Sequence, residues 1–245
     1  MLKIKIAIPC KEGNDTCFLD RDETRKEIEE LKSAEIADID LSINRGNTLT
    51  LTQFGNKFIN ECKNDFDYLI LMHSDVLFSL KTFVNKLIEV KDKYDVIGFA
   101  GTKKLTLNES PLTWFTGSNI FFDKRYGQVT QKVGNEYVSS LFNATDPNTT
   151  DTEVVTIDGL MMCLSRKAMQ SDVLFDEQFT YDFYDLDYCL SIQTKTTLKI
   201  GVIVQSDLVH ESPGAAILNE KYLIPEGKFR TKWMAAFAVS PKIDQ

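Results

Sequence analysis

The sequence predicts an α/β fold in which a mostly parallel central sheet carries helices on its faces. Three observations predict it. Apolar strand-like runs and amphipathic helical stretches alternate as β-α-β-α-β-α-β as far as Gly101, the order that builds a parallel sheet. Tyr68 to Met72 is an unbroken apolar run without Gly or Pro, the length of a strand buried on both faces. That run stops at the polar triplet His73-Ser74-Asp75, and open α/β sheets bind ligands just beyond the carboxyl ends of their strands.

The elements follow in order. Lys3 to Ile8 alternates and meets Pro9, a first strand whose tip opens into a polar loop at Lys11 to Asp15. Asp22 to Lys32 is rich in helix formers, with Ile28 and Leu31 facing inward. Ile36 to Ile43 reads as a second strand and Asn44-Arg45-Gly46-Asn47 as a turn. Leu51, Phe54, Phe58, Ile59 and Cys62 recur at helical spacing. After the Tyr68–Met72 strand, Leu80, Phe83, Val84, Leu87 and Ile88 mark a third helix, and Tyr94 to Gly101 a further strand. From Thr102 to Asp151 short β-like pieces (Trp114 to Phe122, Gly127 to Val133) sit among polar loops, with Asn143 to Thr152 the expected mobile loop. Val154 to Leu164 is strand-like but interrupted by Asp158-Gly159. Short helix (Ser165 to Gln170), helix (Phe183 to Thr194) and strand (Leu198 to Val204) then lead to a loop at His210 to Gly214. A closing helix is expected around Lys228 to Ala238.

Composition narrows the function classes. The net charge of −8 argues against a nucleic-acid backbone as partner but not against a nucleotide, since a bound cation can reverse the local sign. Five scattered cysteines without a CxxC pair indicate neither a zinc site nor a disulfide framework, and point to a reducing compartment. No apolar run approaches the roughly 18 residues of a membrane span, and Met1 to Lys5 runs straight into a strand pattern, so a cytoplasmic location is expected.

Chemistry gathers at two places. His73 and Asp75 end one strand and His210 follows another; they are the sequence's only two histidines beside a strand-end carboxylate. Imidazole and carboxylate together suit Mn²⁺ or Mg²⁺ when phosphate and water complete the shell. The plainer alternatives are that Asp75 caps the next helix and that the histidines are structural. The second place, Tyr181-Asp182-Phe183-Tyr184-Asp185-Leu186-Asp187-Tyr188, sets three carboxylates among aromatic residues, an environment that raises a pKa toward that of a general base. Asp182 or Asp185 as helix caps is the plainer reading there, and spacing does not separate the two.

A resemblance adds to these readings. Ile6-Ala7-Ile8-Pro9, Leu69 to Val76, Gly98 to Gly101, Trp114 through Gly117, Asp158-Gly159, Phe175 to Phe179, Tyr184 to Leu190 and Val209-His210 together resemble a family 2 glycosyltransferase of the GT-A fold, in particular the small StrF-type branch of streptomycin biosynthesis. The likeness runs from about residue 4 to 214 and rests on the order and spacing of motifs that are each weak. It implies one GT-A domain: a nucleotide-binding half (1–101), an acceptor and catalytic half with a small mixed β region (102–214), and a tail helix (215–245).

The resemblance also implies roles. His73-Ser74-Asp75 stands where the Asp-x-Asp motif belongs, so Asp75 matches the carboxylate that reaches metal and nucleotide, with His73 in place of the first Asp. His210 matches the late histidine of the metal shell. Asp185 matches the candidate base of a Glu-Asp pair whose Glu is replaced by Tyr184. Asp187 matches a position that supports the loop or contacts the acceptor, and Ser191 replaces a commonly basic residue. Pro9, Lys11 and Glu12 match the segment around the nucleotide base, with Asp40 or Asn44 substituting for an acidic turn. Trp114, Asp158 and Gly159 fall on the sugar and acceptor side. The implied reaction is transfer of a sugar, with inversion and help from Mn²⁺ or Mg²⁺, from a nucleotide-diphosphate sugar to a hydroxyl of a glycan, lipid or other acceptor. A sugar-phosphate nucleotidyltransferase would instead show a Gly-rich, Arg-containing loop after the first strand, which Lys11-Glu12-Gly13-Asn14 does not supply. A degenerate domain that binds sugar or nucleotide without catalysis is the other alternative.

Overall fold

The computed structural model describes residues 1–11, 16–105, 125–142, 149–212 and 220–239. The first six predicted elements, three strands and three helices, hold closely. Strand β1 (Leu2–Lys11) leads to helix α1 (Asp22–Ser33), β2 (Ala37–Asn47), α2 (Leu51–Cys62), β3 (Tyr68–Met72), the short β4 (Val76–Leu77) and α3 (Leu80–Val90). Helix α2 begins at a reciprocal capping box between Thr50 and Gln53, which satisfies donors the first turn leaves open. Helix α3 is capped by the Ser79 hydroxyl, which accepts from the Thr82 N–H at 3.1 Å. Asp75 is therefore not the cap of that helix.

The expected single strand from Tyr94 to Gly101 is two: β5 (Val96–Gly98) and β6 (Ala100–Thr102). They are followed by β7 (Arg125–Val133), β8 (Glu136–Leu141), β9 (Asp151–Glu153), β10 (Thr156–Ile157) and β11 (Met161–Ser165). Helices α4 (Arg166–Met169) and α5 (Tyr184–Lys195), strands β12 (Ile200–Ile203) and β13 (Val209–His210), and helix α6 (Glu220–Val239) complete the chain. The predicted piece from Trp114 to Phe122 and the first part of the expected mobile loop lie outside the described residues.

The main sheet runs β2-β1-β3-β11-β5-β12-β9. It is mixed rather than mostly parallel. β1 lies parallel to β2 and β3, and β5 parallel to β12, but β11 is antiparallel to both of its neighbours and β9 to β12. The reason is that a central strand buried on both faces is an apolar run in either direction, so its composition does not encode its polarity. The predicted turn at 44–47 is also strand: β1 continues beside it, pairing Pro9 with Asn44 and Lys11 with Asn47. A second sheet, β10-β6-β7-β13-β4 with β8 on β7, stands beside the first.

Each face of the main sheet buries its own core. The alternation along β3 sends Tyr68, Ile70 and Met72 to one side, with Leu31 of α1 and Phe83 and Leu87 of α3. Leu69 and Leu71 point to the other, with Phe54 and Phe58 of α2, Leu186 and Leu190 of α5, and Phe229 and Trp233 of α6. At about 1.5–3 kcal/mol for each large apolar side chain buried, these two layers fix the strand ends from which the polar residues project. The five cysteines are all buried thiols, and among the described residues no helix is long and apolar enough to cross a membrane.

Candidate active site

Three segments converge at the carboxyl end of β3. His73 leaves the strand with its N–H donating to the Leu160 carbonyl at 3.0 Å, and the Ser74 carbonyl accepts from the Phe18 N–H at 2.9 Å. β4 then pairs antiparallel with β13, setting His210 opposite Val76, and the Glu211 N–H donates to the Asp75 carbonyl at 2.9 Å. This pairing carries His210 across from a distant part of the chain to Asp75, with Nε2 and Oδ1 3.5 Å apart. One donor atom each from His73, Asp75 and His210 lie within 4.8 Å of one another, and all three residues are half-buried.

The electrostatics are those of a mutually supporting cluster. Burial drives His73 toward the neutral imidazole, only partly opposed by Asp75 and Asp158. Burial also opposes a charge on His210, but its hydrogen bond to the Asp75 carboxylate and that group's charge outweigh burial and raise its pKa. Asp75 shows the converse: burial pushes it up, while His210 and His73 outweigh that and hold it below the ordinary carboxylate range. Two imidazole nitrogens and a carboxylate, half-buried and converging, are a donor set that fits a divalent cation.

The second group is built by the start of α5. Its N-cap, Phe183, sits at φ +67° without a side-chain cap, a left-handed conformation uncommon for a bulky residue. The turn presents Tyr184 and Asp185 to the Asp158-Gly159 corner between β10 and β11. Gly159 holds both. Its N–H donates to Asp185 Oδ2 at 2.7 Å and its carbonyl accepts from the Tyr184 hydroxyl at 2.8 Å. A Cβ at this glycine would meet that hydroxyl oxygen at 2.1 Å, so only glycine permits the approach. Asp185 Oδ1 accepts from the Leu186 N–H, and Asp158 Oδ1 from the Leu160 N–H, each through backbone. Neither Asp182 nor Asp185 caps the helix. Burial first, and then the neighbouring Asp158 carboxylate, raise Asp185 to about 7.

Tyr184 joins the two groups. Its hydroxyl lies 3.1 Å from His73 Nε2, and the Tyr181 ring lies roughly parallel to His73 with centroids 6.3 Å apart. Next to them a narrow, water-sized cavity of about 20 Å³ is lined by Pro9, Leu51, Phe54, His73, Gly159 and Tyr184, among others.

The structure does not gather every predicted residue here. Pro9 lines the cavity and Asn44 pairs beside it, whereas Lys11 is exposed at the strand end. Glu12 and Trp114 lie outside the described residues. Asp187, expected to support the loop or contact the acceptor, is 0% exposed, on the side of α5 away from Asp185, and bound by Lys232 Nζ at 2.7 Å and Trp233 Nε1 at 2.8 Å. Two positions along a helix place side chains on opposite faces, which the spacing of these aspartates already required. Two contributors escaped the sequence reading. Tyr184 enters the sequence reading as a replacement for Glu and Tyr181 as one of the aromatic neighbours, and no residue pattern announces a hydroxyl's partner.

Against this geometry the comparisons are direct. The model of the family described as "Glycosyltransferase like family" matches residues 18–222. The chain belongs to this family. Among solved structures, this glycosyltransferase-like chain resembles S. aureus TarS 1-349 in complex with UDP-GlcNAc (TM-score 0.51, 10% identity, 94% of this chain and 65% of that one). The same protein in complex with UDP aligns similarly (TM-score 0.50, 10% identity, 94% and 64%). A mutant Drosophila β1,4-galactosyltransferase 7 complexed with manganese, UDP-Gal and xylobiose aligns at TM-score 0.45 and 10% identity, over 91% of this chain and 79% of that one. The chain spans slightly less than two thirds of the TarS 1-349 chains it matches. At such identity the likeness is one of fold: an α/β architecture shared with glycosyltransferases. No curated protein matches the chain by sequence.

Proposed function

We propose that this protein is a GT-A-type glycosyltransferase, most similar to the StrF-type branch. It moves a sugar from a nucleotide-diphosphate donor to an acceptor hydroxyl, with inversion and with a divalent cation held by Asp75, His210 and His73. The observation that carries this reading is the convergence of those three side chains, from separate segments, to donor atoms within 4.8 Å at the end of a central strand. Nitrogen donors favour Mn²⁺ over Mg²⁺, which prefers oxygen. When bound, such a cation supplies positive charge against the negative charge that grows on a leaving diphosphate.

The chain's own residues supply the rest. Asp185, held by the Gly159 and Leu186 N–H groups, takes the proton from the acceptor hydroxyl as that oxygen attacks the anomeric carbon from the face opposite the nucleotide. A base near 7 is half ionised at neutral pH and strong enough to accept the proton as the new bond forms. Asp158 raises the basicity of Asp185 by its charge. Pro9 and Asn44, paired near the ends of β1 and β2, stand on the donor side of the site, and Ser74 ties the Phe18 segment to it. In this reading the segment to residue 101 binds nucleotide and the segment from 102 to 214 binds acceptor, with α6 as the packed tail.

The test is transfer itself. Incubated with a panel of nucleotide-sugars and Mn²⁺, the protein should release nucleoside diphosphate from one of them, and Asp185→Asn should keep nucleotide binding while losing release. Transfer retained by Asp185→Asn refutes the base assignment. Nucleotide binding without release from any donor favours a binding-only domain.

A further inference from the structure

We propose that Tyr184 is a positioning residue: its hydroxyl sets the tautomer of His73, placing the proton on Nε2 and leaving Nδ1 as the nitrogen able to bind a divalent cation.

One short chain of atoms, from the Gly159 carbonyl through the Tyr184 hydroxyl to His73, has few places for its protons. A phenol carries a single hydrogen and can also accept. The Gly159 carbonyl can only accept, and the Tyr184 oxygen lies 2.8 Å from it in a buried setting. The phenol hydrogen therefore goes to the carbonyl. What the oxygen offers His73, 3.1 Å away, is a lone pair. Nε2 must then carry the hydrogen, and in a neutral imidazole Nδ1 is left with its lone pair. A metal-binding histidine is commonly oriented in this way, by the hydrogen bond its other nitrogen donates.

The geometry also fixes the ring. The Tyr184 side chain is buried and rooted in the first turn of α5, and Gly159 admits its hydroxyl at a distance no other residue there would allow. The Tyr181 ring lies roughly parallel to the same imidazole, with centroids 6.3 Å apart. His73 thus contacts two tyrosines of one segment, and the corner that orients Asp185 also orients His73.

This inference rests on the reading of His73, Asp75 and His210 as a cation site, and its test separates the two. The chain has two histidines, so ¹⁵N-histidine labelling gives four ring nitrogens, assigned with His210→Gln. In the cation-free wild-type protein His73 should show a protonated Nε2 and an unprotonated Nδ1. Tyr184→Phe, which removes only the hydroxyl, should relax this to a tautomer mixture and weaken Mn²⁺ binding by roughly tenfold or more in calorimetry. Should Tyr184→Phe fold poorly, Gly159→Ala displaces the hydroxyl instead and should relax the tautomer likewise. A wild-type His73 protonated on Nδ1, or a tautomer and Mn²⁺ affinity unchanged in Tyr184→Phe, overturns the proposal. The expected tautomer change with no Mn²⁺ binding by the wild-type protein supports the role of Tyr184 on His73 and overturns the cation site alone.

Discussion

Asp185 gives the sharpest pH prediction. An ordinary aspartate titrates near 3.8; this one is raised to about 7 by burial and by the Asp158 carboxylate. The carboxylate form is the active base. At about pH 6 roughly a tenth of the protein carries it, and at about pH 8 roughly nine tenths. The kcat/KM for acceptor should therefore climb about ninefold over that range, with its midpoint near 7. Asp158→Asn removes the like charge while its amide oxygen can still accept from the Leu160 N–H. The acid limb should then move to lower pH, and the variant should outpace the parent at about pH 6 if acceptor binding is unchanged. Asp185→Asn should cost about a hundredfold or more at every pH. Initial rates of nucleoside diphosphate release across pH check all three. A flat profile across neutrality, or a limb that moves to higher pH in Asp158→Asn, would refute the reasoning.

Other perturbations test the scaffold. Because Asp185 is raised on folding, the folded state holds its proton more tightly than the unfolded chain; that contribution is full below about pH 4 and lost as pH rises through 7. Asp185→Asn should therefore stabilise the protein in urea at about pH 8, by less than roughly 4 kcal/mol since the group keeps some exposure, and do nothing comparable at about pH 4. Asp187→Ala should destabilise by about 3 kcal/mol, because it strands the Trp233 N–H and half of the Lys232 ion pair, and should open α6 to limited proteolysis; a loss below about 1 kcal/mol would show that α6 docks by apolar contact alone. Gly127→Ala should destabilise by about 2–4 kcal/mol in the same denaturation assay. Gly127 sits at φ +112°, and a Cβ would meet the Phe99 carbonyl oxygen at 2.0 Å.

Local structure was legible where one force dominated. The Tyr68 to Met72 run predicted β3 residue for residue, because a strand with both faces buried has no polar position to blur its ends. The periodicity of α2 and α3 fixed those helices because each buries one apolar face and leaves the other polar. What failed was relational. Nothing in Met161 to Ser165 states that it inserts antiparallel between β3 and β5. Asn44 to Asn47 looked like a turn from its composition, and Gly46 does take a positive φ, but it spends that freedom on an irregularity where the register with β1 shifts between Pro9 and Lys11, and the strand continues past it. Phe99 is as apolar as its neighbours, so the point where the chain passes from one sheet to the other left no trace.

The site was legible in part. His73, Asp75, His210 and Asp185 stood out as polar groups at strand ends and in an acidic, aromatic segment, and the fold brings them to one region. Their coupling was not legible. The two positions that depart from the resembled pattern, His73 and Tyr184, lie far apart in sequence; in the structure they are hydrogen-bonded to each other. An acidic cluster reads as one site in sequence, while a helix turns alternate members such as Asp185 and Asp187 to opposite faces.

The central claim, a cation-assisted nucleotide site at the end of β3, is tested most directly by thermal stabilisation with nucleoside diphosphates, with and without Mn²⁺, in the parent and in Asp75→Ala. One nucleoside diphosphate should raise the melting temperature of the parent only when Mn²⁺ is present, and Asp75→Ala should lose that rise. A nucleotide shift that ignores Mn²⁺, or one that survives in Asp75→Ala, would contradict the account.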